Sequence, residues 1–218
     1  MDNYMVYHLH SALSNPTAGN GADSATKFTD YLDRAVELGM KAIAFSEHGN
    51  IFNWVKKKEE TEKRGLKYIH ANEVYLTEHI DKERGLIRDN YHFMLIAKNY
   101  EGVKELNVLS SKAFNREDGH FYYNPRITFE ELFNTSDNII MTSACLASPL
   151  WRAIKNNDKQ KLQLFQDFFV KNKHRVFLEI QYHDHPEQKQ YNQWLYNFSK
   201  ENSSTISAKT FVLCIASK

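Results

Sequence analysis

The stretch VYHLHSALSN (residues 6–15) places two histidines one residue apart, directly after a short apolar run. In an extended segment, residues i and i+2 point to the same side of the chain. His8 and His10 can therefore converge on one cation while Leu9 packs into the core. The pair alone is weak evidence for a metal site, because ten histidines in 218 residues can form a close pair by chance.

Further candidate ligands lie at other predicted strands. His48 lies in FSEHGN, directly after the apolar run KAIAF, and Gly49 lets the backbone turn sharply beside it. Glu73 interrupts the apolar segment HANEVYL, His92 opens YHFMLIA, and Cys145 ends NIIMTSAC. A buried carboxylate needs a cation or a proton, and a thiolate can bind zinc. The alternatives are an outward-facing Glu73 and a small buried hydrophobe at Cys145.

The length of 218 residues fits one large domain or two small ones, and a single core is the simpler interpretation. Hydrophobic residues make up 42% and charged residues 25%, which argues against disordered, collagen-like and membrane classes. The net charge of +1 provides no global basic field, so a phosphate ligand must be held locally. Cys145 and Cys214 are too few for a disulfide framework, and no signal peptide or membrane-spanning run is recognisable. We expect a cytoplasmic protein without a membrane partner.

Apolar runs of strand length alternate with segments of helical period, which predicts an α/β fold. The predicted strands are residues 4–7, 41–45, 68–76, 91–97, 138–142, 175–181 and 210–215. The predicted helices are residues 24–38, 51–64, 101–113, 150–155, 159–170 and 187–200. This order favours a mostly parallel sheet covered by helices, either a closed barrel or an open doubly wound sheet. Residues 77–90, a predicted hairpin or loop, and the aromatic-rich residues 115–126 interrupt the pattern.

Several motifs together resemble one known family. HLHS, FSEHGN, the glutamate of ANEVYL, YHFMLIAKNYEGVKELNVLSSKAF, SACLAS and FLEIQYH occur in the order and approximate spacing of the PHP (polymerase and histidinol phosphatase) domain. By itself, the HLHS motif resembles the PHP superfamily in general and does not indicate one branch of it. The last three motifs resemble, more narrowly, the PHP domain at the N-terminus of bacterial DNA polymerase III alpha subunits. The resemblance covers about residues 3–200.

The resemblance implies a distorted, PHP-type β/α barrel of seven strands with up to three metal ions. Its implied ligands are His8, His10, His48, Glu73, His92 and Cys145. Imidazole, carboxylate and thiolate suit Zn²⁺, Mn²⁺ or Fe²⁺ better than Mg²⁺. In active members, a metal-activated water attacks a phosphoester. The implied substrates are a DNA 3′ end or a nucleotide phosphate, and the implied partner is the rest of a replicative polymerase.

The sequence departs from the family pattern in two ligand positions. The family often places an aspartate seven residues after the second histidine, where this chain has Thr17. Asp23 can replace that aspartate only if the loop NPTAGNGADS folds back. The family also has an Asp-x-His pair after its last strand, whereas ENSSTISAKTFVLCIASK contains none. We expect a PHP domain over residues 1–201, a divergent segment over 202–218 with a divergent last strand, and fewer than three metals.

Three functions remain open at this point. The first is a metal-dependent phosphoesterase or 3′–5′ exonuclease, weak or inactive because the terminal Asp-x-His is missing. The second is a non-catalytic structural or partner-binding module of the replication machinery. The third is a stand-alone PHP phosphatase. The resemblance includes no palm, thumb or fingers, so it implies no polymerase active site in these residues.

Two other groups have simpler interpretations. His183, Asp184 and His185 form a second H-x-H pattern, which we expect to be a solvated loop before a helix. Tyr123 and Arg126, with Tyr122, resemble an aromatic and basic contact site for nucleic acid. Packing of this loop against the rest of the domain is the more frequent role of such residues.

Overall fold

The computed structural model describes residues 4–19, 21–83 and 85–202, together with the backbone of residues 211 and 212. The fold is mixed α/β, as predicted. A 3₁₀ helix spans Ala12–Thr17. The α-helices of the described ranges are α1 (Phe28–Glu37), α2 (Trp54–Lys63), α3 (Tyr100–Ala113), α4 (Phe129–Phe133), α5 (Pro149–Lys155), α6 (Lys159–Lys171) and α7 (Pro186–Glu201).

The strands are mostly short. They are β1 (Ala42–Phe45), β2 (Lys67–Thr77), β3 (Tyr91–Ala97), β4 (Phe121–Tyr122), β5 (Asn124–Thr128), β6 (Ile139–Thr142), β7 (Val176–Phe177), β8 (Ile180–Gln181) and β9 (Phe211–Val212). Of these, β1, β2, β3 and β6 lie close to their predicted positions. The longest are β2 and β3, which carry two of the candidate ligands.

Strands β2 and β3 form the centre of a mixed sheet, in which six strands follow the order β4, β5, β2, β3, β6, β7. β1 runs parallel to the first half of β2, from Ala42 opposite Lys67 to Phe45 opposite His70. β3 runs antiparallel to both β2 and β6. β8 and β9 form a separate parallel pair. The described strands therefore form an open sheet.

The predicted closed barrel of seven strands is not confirmed, and the sheet is less parallel than expected. β2 and β3 are antiparallel, and the described residues between them, 78–83 and 85–90, contain no helix that would carry the chain across the sheet. The predicted strand 4–7 contributes only a bridge from Val6 to Ile43. The predicted strand 175–181 divides into β7 and β8, since the Glu179 amide donates to the Ser143 hydroxyl.

Residues 115–126, which the sequence pattern left irregular, contain β4 and the start of β5. Helix α4 follows immediately and is also absent from the predicted elements. Thr128 and Glu131 form a capping box at its start. Of the predicted strand 210–215, only Phe211 and Val212 lie within the described residues.

The two sides of the sheet differ in composition. The larger apolar core joins β3 and β6 to helices α3 to α7 through residues such as Phe93, Met141 and Phe165. The opposite side carries a smaller cluster that includes Ala71 and Met94, together with Ala44 and Ala144. Small side chains there leave room for polar groups. None of the helices in the described ranges has the length and apolar composition needed to cross a membrane.

Gly102 allows α3 to pack closely against the end of the sheet. A Cβ atom at this position would lie 2.3 Å from the Asn138 carbonyl oxygen and 3.2 Å from the Ala97 Cα. We expect Gly102→Ala to lower the free energy of unfolding by about 1–3 kcal/mol, because backbone atoms must move apart. Urea denaturation measures the change.

The matched control for Gly102→Ala is Val108→Ala, which truncates an exposed side chain on the same helix. We expect this variant to change the free energy of unfolding by less than about 0.5 kcal/mol. Equal stability of Gly102→Ala and the wild-type chain would contradict the close approach of α3 to residues 97 and 138.

Candidate metal centre

Glu73 lies at the centre of a cluster of imidazoles. Its Oε1 atom is 3.4 Å from His8 Nε2 and 3.2 Å from His92 Nδ1. Its Oε2 atom is 3.3 Å from His10 Nε2 and 2.7 Å from His48 Nδ1. The Glu73 side chain is only 1% exposed. The structure therefore brings five of the six predicted ligands together around one carboxylate.

Strand direction explains how His92 reaches this cluster from the beginning of its strand. Because β3 is antiparallel to β2, its first residues lie beside the last residues of β2. His92 pairs with Tyr75, and Met94 pairs with Glu73. Residues two apart on one strand share a face. The antiparallel direction of β3 therefore places His92, at the start of its strand, on the same part of the sheet as Glu73.

The loop that carries His48 is fixed directly to β2. The Gly49 amide donates to the Glu73 carbonyl at 2.8 Å, and the Glu73 amide donates to the Glu47 carbonyl at 3.2 Å. Gly49 has φ +62°, and a Cβ atom there would lie 2.8 Å from the Tyr75 ring. Glycine is therefore required both by the left-handed backbone and by the lack of space.

A buried ion pair joins this loop to the segment that carries His10. The Glu47 carboxylate accepts hydrogen bonds from Lys57 Nζ at 2.6 Å, from the Ser11 amide at 2.8 Å and from Ser14 Oγ at 2.6 Å. Ser14 Oγ in turn accepts from the His48 amide at 3.1 Å. Lys57 is 2% exposed. This network holds the segment that carries His10 against the loop that carries His48. None of the residues of the network is among the predicted ligands.

Glu179 supports His8 from the side opposite to Glu73. Its Oε1 atom is 2.6 Å from His8 Nδ1, while His8 Nε2 faces Glu73. Gln181 Nε2 and the Thr142 hydroxyl donate to the same carboxylate. Such a carboxylate fixes the tautomer and orientation of a metal-binding imidazole. Glu179 is absent from the predicted ligands, although a charged residue inside the apolar FLEIQ is the same signal that singled out Glu73.

Cys145 lies at the edge of the cluster. Its Sγ atom is 3.6 Å from His92 Nδ1 and 4.0 Å from Glu73 Oε1. The Ala147 amide donates to the sulfur at 3.4 Å. The structure thus brings the sixth predicted ligand close to Glu73 and His92.

The loop after His10 folds back toward the cluster, which was the condition for Asp23 to take part. Asp23 Oδ2 is 3.4 Å from His48 Nε2. Thr17, at the position of the family's aspartate, instead hydrogen-bonds with the His48 carbonyl and with Asn50. Asp23, and not Thr17, therefore places a carboxylate next to the His48 ring.

The donor atoms of this cluster fit a divalent cation. Within the described residues, three overlapping groups each place three donor atoms within 4.8 Å of one another. They are His8–His10–Glu73, His48–Glu73–His92 and His10–Asp23–His48. Glu73 Oε2 and His48 Nδ1 are buried and face each other at 2.7 Å, with no other hydrogen bond of regular geometry. A cation shared by these two atoms would replace the proton between them.

The charges in the cluster depend on one another. Burial raises the pKa of Glu73, but the charges of His92, His48 and His8 outweigh it and hold this pKa well below its ordinary value. Burial opposes protonation of His48, but Glu73 and Asp23 raise its pKa to about 10. Burial and the Glu73 charge raise the pKa of Cys145. Protons thus compensate the carboxylate, and a metal ion would displace them.

The two other groups singled out in the sequence lie outside this cluster. His183, Asp184 and His185 are exposed, and Asp184 pairs with Lys189 at 2.5 Å, as expected for a solvated loop. Arg126 is fully buried and donates to the carbonyls of Gly119, His120 and Ile87. The guanidinium is therefore part of the packing and not a surface for nucleic acid.

Comparison with known proteins decides the family. The family profile described as the PHP domain matches residues 7–183. The chain belongs to the PHP domain family. It is 32% identical over 212 residues to DNA polymerase III subunit alpha of Borreliella burgdorferi, and 32% identical over 210 residues to that of Aquifex aeolicus. These alignments cover 94% and 91% of the chain, but only 17% of each relative.

A solved structure agrees with this membership at the level of the fold. A Bifidobacterium adolescentis protein, named as a metal-dependent phosphoesterase, matches with a TM-score of 0.56 and 12% identity. The match covers 97% of this chain and 87% of that protein. The family profile and the polymerase relatives thus confirm the resemblance to the PHP domain of polymerase III alpha subunits, and the solved structure agrees in fold alone.

Replacement of the central carboxylate tests whether the cluster binds metal. We expect Glu73→Gln to weaken Zn²⁺ binding by more than about 100-fold, since loss of an outer partner alone costs about 10- to 100-fold. Isothermal titration calorimetry measures the affinity. Glu78→Gln, just after β2 with its side chain 53% exposed, is the control. Unchanged affinity in a folded Glu73→Gln variant would exclude Glu73 as a ligand.

Proposed function

We propose that this PHP domain binds divalent cations through His8, His10, His48, Glu73, His92 and Cys145 and slowly hydrolyses phosphoesters beside a replicative polymerase. The observation that supports the proposal is the buried Glu73 carboxylate, which faces four imidazoles from three separate segments of the chain. Bound cations would polarise a phosphoryl oxygen and activate water for attack.

The donor set favours some cations over others. Imidazole nitrogens outnumber carboxylate oxygens in the cluster, and Cys145 adds a sulfur. This mixture suits Zn²⁺, Mn²⁺ or Fe²⁺ rather than Mg²⁺, which prefers oxygen ligands. A thiol with a raised pKa needs a bound cation to lose its proton near neutral pH. We therefore expect Zn²⁺ to recruit Cys145 more readily than Mn²⁺ does.

The proposed substrate is a DNA 3′ end or a nucleotide phosphate. The chain has a net charge of only +1, so cations in the cluster would supply the local positive charge that a phosphate requires. The relatives that support a DNA context are polymerase III alpha subunits, of which this chain spans 17%. A replicative polymerase as partner is therefore part of the proposal.

We expect turnover by these 218 residues to be slow and the metal content to be less than three ions per chain. The family resemblance implies two further ligands in an Asp-x-His pair after the last strand. Residues 201–218 do not contain this pair. Fewer ligands hold fewer cations, and a two-metal arrangement stabilises both the attacking and the leaving oxygen.

The second candidate function is a non-catalytic module of the replication machinery. It is favoured by the ion pairs of the cluster, because Glu179 and Glu73 together with protonated His8 and His48 compensate one another's charge without a metal. A cluster of this kind can hold the N-terminal segment that carries His8 and His10 against the sheet. This candidate predicts a folded chain that neither retains metal nor cleaves phosphoesters.

Metal content and cleavage measured on the same preparation distinguish these functions. After incubation with Zn²⁺, Mn²⁺ or Fe²⁺ and dialysis, we expect elemental analysis to find one or two ions per chain. We also expect slow shortening of a 3′-labelled oligonucleotide, or slow hydrolysis of a nucleotide phosphate, that His10→Ala abolishes. His174→Ala, an exposed histidine paired with Asp137, is the control.

The possible outcomes separate the candidates. Retained metal with slow cleavage that depends on His10 supports the proposed phosphoesterase. Retained metal without cleavage of either substrate would overturn hydrolysis and leave metal binding. A folded chain that retains no metal would overturn both parts and favour the non-catalytic module.

A further inference from the structure

The hairpin formed by β4 and β5 carries two aromatic rings, and an arginine lies over each of them. Arg116 Cζ is 4.1 Å from the centroid of the Phe121 ring, and Arg88 Cζ is 4.1 Å from that of Tyr123. Both arginines are exposed, and Tyr123 is 60% exposed. Arg126, which the sequence pattern grouped with Tyr123, is buried and does not reach this surface. Arg88 and Arg116 therefore provide the cations of the surface.

The turn of the hairpin holds Tyr123 in a conformation that the residue does not prefer. Phe121 pairs with Pro125 and Tyr122 pairs with Asn124, so Tyr123 alone connects the two strands. Its φ angle is +64°, a value that residues other than glycine adopt rarely and only where the surrounding structure imposes it. The ring of Tyr122 packs edge-on against that of Tyr123 at 4.7 Å. The exposed ring is therefore held in one place.

Hydrogen bonds at the base of the hairpin also fix its position. The Phe121 amide donates to the Asn115 carbonyl at 2.7 Å. The buried Arg126 guanidinium donates to the carbonyls of Gly119 at 3.0 Å and His120 at 3.2 Å. The hairpin is thus ordered before any ligand arrives, which reduces the entropic cost of binding.

The two exposed arginines keep their charges available for a ligand. Within the described ranges, neither Arg88 nor Arg116 forms an ion pair with a carboxylate. Asp118, two residues after Arg116, instead contacts His120 Nδ1 at 2.7 Å and accepts from Asn115 Nδ2 at 2.9 Å. A guanidinium that lies over an aromatic ring still presents N–H groups at its edge, where they can bind a phosphate.

The hairpin packs directly against the loops that build the metal centre. A Cβ atom at Gly49 would lie 3.0 Å from Pro125 Cγ, so Pro125 contacts the loop that carries His48. A Cβ atom at Gly19, just after the 3₁₀ helix, would lie 3.9 Å from Asn124 Nδ2. Both contacts involve the two residues that follow Tyr123. The exposed ring therefore lies beside the candidate metal centre.

Further aromatic rings connect the hairpin to the same loop. Phe52, four residues after His48, is 38% exposed, and its ring lies 5.7 Å from that of Phe114. The Phe114 ring in turn lies 6.1 Å from that of Phe121. A row of rings thus runs from the His48 loop to the arginine-bearing hairpin.

We propose that Tyr123 and Arg88, together with Phe121 and Arg116, form a binding surface for single-stranded DNA beside the metal centre. The Tyr123 ring stacks on a base, and the two guanidiniums contact neighbouring phosphates. A single strand is required because the bases of a duplex already stack on one another. The inference rests on the proposed hydrolysis of a DNA 3′ end and names the contact that holds the strand while its end reaches the cations.

Binding of a labelled oligonucleotide tests the proposal without any cleavage. The probe is a 5′-fluorescein-labelled oligo(dT) of about 12 nucleotides in EDTA, and fluorescence anisotropy measures its affinity. We expect Tyr123→Asn to weaken binding about tenfold, because stacking of a base on an aromatic ring is lost. Asparagine accommodates a positive φ, so this variant should stay folded. Tyr123→Phe keeps the ring and should bind within about twofold of the wild-type chain.

The role of the cation has its own readout. We expect Arg88→Gln to weaken binding and to reduce the dependence of the affinity on salt by about one phosphate contact. The matched control is Tyr100→Ala. Tyr100 is a 70% exposed tyrosine with Lys104 Nζ 5.0 Å from its ring centroid, and it lies at the start of α3, whereas Phe114 follows the end of that helix. This variant should bind the probe as tightly as the wild-type chain.

Each outcome bears on the surface separately from the metal chemistry. Weaker binding by Tyr123→Asn and Arg88→Gln alone supports the surface, even if the chain cleaves no phosphoester and the proposed hydrolysis fails. Equal binding by Tyr123→Asn and the wild-type chain, or an equal loss in Tyr100→Ala, would overturn it. Binding of a duplex of the same length as tightly as the single strand would overturn the stacking contact. A wild-type chain that does not bind the probe would overturn the surface altogether.

Discussion

Burial of the Glu73 carboxylate requires compensating positive charge from distant parts of the chain. An ionised carboxylate removed from water costs several kcal/mol unless partners surround it. Here the partners are four imidazoles, which come from the N-terminal segment, the loop after β1 and the start of β3. The packing of these segments is therefore coupled to one charged group. Protons or divalent cations can supply the charge, which connects the stability of the site to metal binding.

The supporting residues show how the fold aims the imidazoles at this carboxylate. Glu179 orients His8, and the buried pair of Glu47 and Lys57 keeps the N-terminal segment against the His48 loop. Glu179 and His8 are far apart in the sequence, and so are Glu47 and Ser11, whereas Glu47 and Lys57 are only ten residues apart. Each contact also satisfies a buried polar group that would otherwise destabilise the fold. The cluster around Glu73 and the core beside it are thus one structural unit.

Much of this architecture is visible in the sequence, because strand and helix periods are local properties. β3 is predicted at its observed limits, β2 and β6 to within one residue at each end, and the H-x-H motif correctly places His8 and His10 beside each other. The direction of β3 is not visible, since it depends on how residues 78–90 return the chain. The divided strand at Glu179 is missed for a similar reason. Three of the hydrogen-bond partners of Glu179, namely Ser143, Thr142 and His8, lie 36 residues or more away.

The candidate ligands differ in how clearly the sequence marks them. Glu73 stands out because a carboxylate inside an apolar strand needs a partner. Asp23 carries no such signal, since an aspartate in a polar loop is ordinary, and only the folded-back loop shows its position near His48. Membership of the PHP family does not assign a role to any single residue of this set.

Anomalous diffraction from crystals grown with Zn²⁺ or Mn²⁺ tests most directly whether Glu73 gathers the imidazoles around a cation. We expect an anomalous peak about 2.0–2.3 Å from a Glu73 oxygen and from at least two of the histidine nitrogens that now face it. Peaks confined to other parts of the molecule, with Glu73 still in contact only with protonated imidazoles, would show that no cation binds at Glu73.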